Sequence, residues 1–239
     1  MINTRMKYRL LPILFFPLTF LFSCNSNEIG KSNDVNPETI YFDYKIWGEE
    51  GDEDITVMLQ YRFGGPRGTT LTLENPYKVE LDGTEIKVDS SKYTGAYYEV
   101  IKPVNEFTGK HTIVFTDANG KKYTEDFSFQ PVILKTELPA EIQRDDIVLE
   151  MDGLDPLDHV RILMTDTSYT SEGINRLDTV KNGRVLISKY DLNNLVNGPV
   201  HLELFKETEK PLKERTEEGG KLSITYGVKR EFMLINKTN

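Results

Sequence analysis

Apolar and polar residues alternate along most of the chain, and the alternation is clearest between Ile55 and Phe63. Ile55, Val57, Leu59, Tyr61 and Phe63 share one parity, and Thr56, Met58, Gln60 and Arg62 share the other. Successive side chains of a strand point to opposite faces, so this segment predicts a strand with one buried and one solvated face. Ile40–Trp47 is strand-like as well, and an acidic turn, Gly48–Asp54, separates the two. Gly64-Gly65-Pro66-Arg67-Gly68 ends the strand, Leu71 and Leu73 mark a short one, and Asn75-Pro76 makes a corner. Val79/Leu81 and Ile86/Val88 flank Asp82-Gly83, a pair suited to the positive φ of a two-residue hairpin turn. Tyr97–Lys102 predicts a further strand, and His111–Thr116 and Tyr123–Phe129 flank the turn Asp117-Ala118-Asn119-Gly120.

Pro131–Asp146 joins this block to a second one. There Ile147, Leu149 and Met151 alternate with Val148 and Glu150, and Val160, Ile162 and Met164 alternate with Arg161 and Leu163. A long polar stretch, Thr165–Arg176, precedes a weaker strand pair around Asn182-Gly183. The one helical signal follows. Ser188 and Asp191 have the spacing of a capping box, Leu192 and Leu195 share a face, and Gly198 stops the turn. Leu202 and Leu204 then open a hairpin whose far arm runs through Leu222, Ile224, Tyr226, Val228, Phe232 and Leu234. Its connection, Lys206–Lys221, mixes both charges with Gly219-Gly220, which predicts a long, mobile tip. The fold class read from this rhythm is all-β: two tandem immunoglobulin-like β-sandwich domains, residues 39–131 and 132–239. The cysteine–tryptophan–cysteine signature of antibody domains is missing, so the assignment rests on strand rhythm.

At the N-terminus Arg5, Lys7 and Arg9 precede an apolar run of 13 residues, Leu10–Phe22. A bilayer-spanning helix needs ~20, and the basic-then-apolar order is that of a secretory signal, residues 1–23. The chain's one cysteine, Cys24, stands where cleavage would fall. Leu21-Phe22-Ser23-Cys24 resembles the bacterial lipobox; the alternative is an ordinary signal peptide with an accidental cysteine. The resemblance implies cleavage before Cys24 and lipidation of its thiol, with ~0.8 kcal/mol of anchoring per buried methylene. Asn25, where an aspartate would resemble an inner-membrane retention signal, leans the expectation to the outer membrane, on its periplasmic face or at the cell surface. Residues 24–38 are polar and breaker-rich, which predicts a lipidated, flexible tether able to lift the folded part tens of Å from the membrane. The layout from Leu192 to Gly198 with the strands after it is similar to the last part of Ig-like domains in anchored lipoproteins of Gram-negative bacteria. The whole resembles Bacteroidetes-type envelope lipoproteins.

Charge narrows the partners. Without residues 1–23 the chain keeps 26 cations against 38 acids, a net charge of −12. That argues against nucleic acid, whose binding rests on basic patches, and against electrostatic docking on anionic lipid.

Candidate chemistry is sparse. Within the acidic turn, Asp52, Glu53 and Asp54 are calcium candidates because hard cations take oxygen ligands, although the alternating order of a calcium loop is absent and a solvated turn is the alternative. His111, His159 and His201 sit in separate predicted strands without metal-ligand spacing, and no G-x-S-x-G occurs. Trp47, Tyr77, Tyr93, Tyr97 and Tyr98 lie near predicted strand ends, where aromatics either stack on sugars and partners or plug the sandwich rim. Asp178-Thr179-Val180 resembles an O-glycosylation acceptor of Bacteroidetes-like envelopes. The expectation is a lipid-anchored envelope protein with a non-catalytic binding, adhesion or scaffolding role, no cofactor, and a protein or glycan partner. A polysaccharide-acting enzyme or accessory with a site between the domains is one alternative, and a purely structural spacer is another.

Overall fold

The alternation of the first block closes into two facing sheets. The computed structural model describes residues 29–156 and 158–236. The first block holds β1 (Ile29–Lys31), β2 (Ile40–Glu49), β3 (Asp54–Phe63), β4 (Thr69–Thr72), β5 (Lys78–Leu81), β6 (Thr84–Glu85), β7 (Val88–Ser91), β8 (Gly95–Pro103), α1 (Val104–Phe107), β9 (Gly109–Thr116) and β10 (Lys122–Phe129). The second holds β11 (Ile133–Leu134), β12 (Glu141–Gln143), β13 (Ile147–Asp152), β14 (His159–Asp166), β15 (Ile174–Thr179), β16 (Arg184–Ile187), α2 (Lys189–Leu192), β17 (Gly198–Pro211) and β18 (Gly220–Ile235).

In the first sandwich β7, β8, β3 and β2 pair in that order, all antiparallel, and face the sheet β10-β9-β5-β6. Ile55, Val57, Leu59 and Tyr61 are fully buried between them, as their shared parity requires. The core is aromatic: Phe115 of one sheet packs against Phe42 and Tyr61 of the other, with centroids 4.8 and 4.7 Å apart. The Asp82-Gly83 turn forms as expected, both residues at positive φ. In the second sandwich β11-β13-β16 faces β15-β14-β17-β18, with β12 added in parallel to β18. Here the core is aliphatic, built on Leu149, Ile162, Ile187, Leu202, Leu204 and Val228. The fold is therefore all-β, with two tandem Ig-like sandwiches.

Three expectations about the chain's organisation are corrected. First, the predicted tether ends early: Ile29–Lys31 pairs in parallel with Thr70–Thr72, and buried Ser32 accepts the Glu74 amide at 2.9 Å. Short 3-10 turns at Ser32–Asp34 and Pro37–Thr39 carry the chain into β2, the second capped by Asn36. Polar composition misled here because these residues satisfy the backbone of a strand edge instead of water. Second, Lys206–Lys221 is not a mobile tip. Lys206–Pro211 and Gly220–Lys221 are strand, and the turn between them is held by buried Leu212 and Thr216.

Third, the division at 131/132 does not describe the hairpin. Gly220–Gly227 of β18 pairs in parallel with Phe42–Glu49 of β2, so the distal half of β17–β18 completes the first sandwich's sheet. Alternating apolar residues in β17 stop at Leu204, and from Glu207 on the strand is the sheet's outer edge. Charges and Pro211 occupy that edge, a composition that discourages further pairing. Gly220 lands where no side chain fits: a Cβ there would meet Leu212 Cδ1 at 2.8 Å and Phe42 Cβ at 2.9 Å.

Candidate binding surface

The hairpin gives the protein two poles. From Gly220, opposite Phe42, to Ile235, opposite Gln143, β18 advances about 50 Å at ~3.3 Å per residue. The pole at Gly220 holds the start of β1, the loop after Phe63 and the turn between β7 and β8. The pole at Ile235 holds the loop from β14 to β15, residues 167–173, and the segment from Ser188 to Asn197.

At the second pole the two loops are tied together. Asp166 accepts the Ser168 amide through Oδ1 and the Val196 amide through Oδ2, both at 2.7 Å. Ser171 Oγ donates to Asn194 O at 3.1 Å. Burial pushes the Asp166 carboxyl up, but these amides and Ser171 outweigh it and hold it below its ordinary range. Arg144 donates to the carbonyls of Leu192 and Leu195 and to Asn197 Oδ1, fixing the segment after α2. The capping box forms as the spacing predicts: Asp191 N donates to Ser188 Oγ at 3.3 Å and Ser188 N to Asp191 Oδ2 at 2.8 Å.

On this braced base stand two tyrosines. Tyr169 is fully exposed and Tyr190 is 72% exposed, with Lys189 Nζ 5.3 Å from the Tyr190 ring centre. Tyr-, Ser-, Thr-, Asn- and Gly-rich loops on a rigid base combine large contact area with adaptable hydrogen bonding, the composition of a recognition surface. Sequence reasoning passed over both residues. The available signal was the polar stretch Thr165–Arg176 with its embedded tyrosine.

A groove of about 560 Å³ runs beside this pole between β15 and β16, the strands where the two sheets of the second sandwich do not pair. Arg176 bridges the gap, donating through Nε to Asp178, through Nη1 to Asp191 and through Nη2 to Leu186 O at 2.7 Å. Thr179 is exposed on the groove wall.

The other candidates scatter. Cys24 lies outside the described residues. Among the described residues no three His, Cys, Asp or Glu side chains are placed to hold a metal ion. Asp52, Glu53 and Asp54 do not converge: Asp54 opens β3, and the working acids of the turn are Glu49, 2.7 Å from Lys229, and Glu50, paired with Arg230. The acidic turn thus docks the hairpin's cations. His111 is buried against Phe107, with Nδ1 2.8 Å from Asp82 and Nε2 2.6 Å from Phe107 O; His201 pairs with Glu231, and His159 is exposed.

Of the aromatic set, Tyr77 and Tyr98 are core residues, Trp47 lies on the outer sheet face opposite Thr225, Tyr97 is partly buried in β8, and Tyr93 is 92% exposed at the first pole. They make no single patch. The groove between the sandwiches, about 260 Å³, is lined by Asp155, Asp158, Lys206, Lys210 and Tyr226; Asp158 is ion-paired to Lys206 at 2.8 Å.

The chain matches no protein-family model and no curated protein. Among solved structures it is similar to the tandem Ig repeats of Dlar, at 9% identity and TM-score 0.23, covering 83% of this chain and 98% of that one. The fibronectin(III)-like modules of Clostridium thermocellum CbhA align at 11% identity and TM-score 0.25, covering 79% and 93%. The Bacteroides ovatus mixed-linkage glucan utilization locus protein SGBP-B, solved with a mixed-linkage heptasaccharide, aligns at 10% identity and TM-score 0.21, covering 87% of this chain and 66% of that one. At these scores the chains do not superpose as wholes, and the fold stands on its own strand order: two Ig-like sandwiches sharing one hairpin.

Proposed function

We propose that the protein is a non-catalytic binding or scaffolding component of the cell envelope, held at the outer membrane by lipid on Cys24. The observation that carries this reading is polarity. The chain enters the fold at one pole, and the exposed, braced Tyr169 and Tyr190 stand at the other, about 50 Å along a continuous hairpin. A lipid at the first pole presents the second outward to a protein or glycan partner.

The test has two arms on the full chain. Radiolabelled palmitate labels the wild type and not Cys24→Ser. A photo-crosslinking residue at position 169 or 190 captures a discrete partner or envelope glycan, and one at the outward-facing position 177 does not. Equal labelling of Cys24→Ser removes the anchor, and equal capture from 177 removes the binding pole.

A further inference from the structure

The described fold begins very close to Cys24. Four residues, Asn25, Ser26, Asn27 and Glu28, separate Cys24 from Ile29, which is fixed opposite Thr70. A fully extended chain covers ~3.4 Å per residue, so Ile29 lies within about 17 Å of Cys24 whatever path the four residues take. On the reading that Cys24 carries lipid, the first pole cannot stand clear of the membrane.

That pole presents apolar groups the core does not use. Phe63 has the parity of the buried face of β3, yet as the strand's last residue it is 46% exposed. Ile29 is also exposed. Tyr93 projects from a turn fixed on both sides: Gln60 Nε2 donates to Thr94 O at 2.8 Å, and Ala96 N donates to Thr70 Oγ1 at 2.9 Å. Since Thr70 pairs with both Ile29 and Arg62, the turn, the end of β3 and β1 belong to one surface. Arg67 follows Phe63 in its loop and Lys92 precedes Tyr93 in its turn, and the Glu218 carboxylate reaches Gly65 of the first loop. Aromatic rings flanked by cations partition to the membrane–water interface, where the ring is half-desolvated and the long basic side chains keep their charge among the headgroups.

We infer that this pole is a membrane-contacting surface, with Phe63 and Tyr93 seated in the headgroup layer of the bilayer that holds Cys24. The lipid and the two rings together fix which way the rod points. A lipid alone would leave it free to swing.

The inference rests on the anchor reading and is separable from it. Lipidated protein, with Cys24 checked by intact mass, is reconstituted into phosphatidylethanolamine/phosphatidylglycerol vesicles with brominated acyl chains, which quench tryptophan near the membrane. Trp47 is a constant background, and Tyr93→Trp, Phe63→Trp and Tyr190→Trp each add one emitter. The emission added at 93 and 63 is largely lost in brominated vesicles, and that added at 190 is retained. Unquenched emission at both 93 and 63 in protein that carries lipid overturns the membrane surface and leaves the anchor standing. Absence of lipid on Cys24 overturns both.

Discussion

Leu222 lies directly across from Tyr44 in parallel register, although by sequence the two belong to different sandwiches. Leu222 is fully buried there, so the hairpin contributes core to the first sandwich as well as backbone pairing. Leu222→Ala should cost about 2–5 kcal/mol, the range for a buried leucine truncated in place. The loss should appear first in the first sandwich, and Trp47, which faces Thr225 across the same seam, reports it. A denaturant melt followed by its emission moves to lower denaturant. An unchanged midpoint would mean that the seam carries no stability.

Glu125 fastens the hairpin's turn to the opposite sheet. It is buried, 2.7 Å from Lys210 Nζ, and accepts the Lys213 amide at 2.7 Å. Hydrogen bonds to a charged group are each worth roughly 1.5–3 kcal/mol. Glu125→Ala should therefore release the turn and open Lys213 and Arg215 to trypsin, while the wild type resists cleavage there. Equal digestion of both would show that the turn is loose already.

Much of this fold was legible because period-two alternation is a local signal. Strand β3, the Asp82-Gly83 turn and the Ser188/Asp191 cap each follow from residues that are neighbours in sequence. The fate of the hairpin was not legible. Lys206–Lys221 reads as a solvated loop because the groups that hold it, Ile40 of β2 and Thr124 and Glu125 of β10, are remote in sequence, and an edge strand keeps its charges. The expected tether over residues 29–38 failed for the same reason. At the second pole, composition could not separate the exposed Tyr169 and Tyr190 from Tyr77 and Tyr98, which are core; exposure depends on which sheet lies opposite.

Tyr44 and Tyr61 share a buried hydroxyl pair at 3.3 Å, and burial pushes both phenols well up, so both stay protonated. Tyr44→Phe should leave the Tyr61 hydroxyl without its partner and cost about 1–3 kcal/mol; changing both to Phe should restore most of that. A double-mutant cycle by chemical denaturation measures the coupling, and strict additivity would contradict it.

Acid should loosen the second pole before it unfolds the cores. Burial pushes the Asp191 carboxyl up, but hydrogen bonds from Arg176 and from Ser188 prevail and hold it below its ordinary value. A lowered carboxyl stabilises the fold above its unfolded pKa of about 3.9, and that contribution disappears as pH falls through the folded value. The Ser188 amide should stay protected at neutral pH and lose protection in an acid titration near and below pH ~4. Asp191→Asn removes the charge that Arg176 and Ser188 hold and should flatten the pH dependence.

The shared hairpin is the central claim, and amide hydrogen exchange across Leu222–Gly227 tests it most directly. These residues should exchange as slowly as their partners in β2, Tyr44–Glu49, and as slowly as Val228–Leu234 in the second sandwich. Fast exchange at Leu222–Gly227 beside a protected Val228–Leu234 would contradict the account, leaving two sandwiches joined by a loose extension.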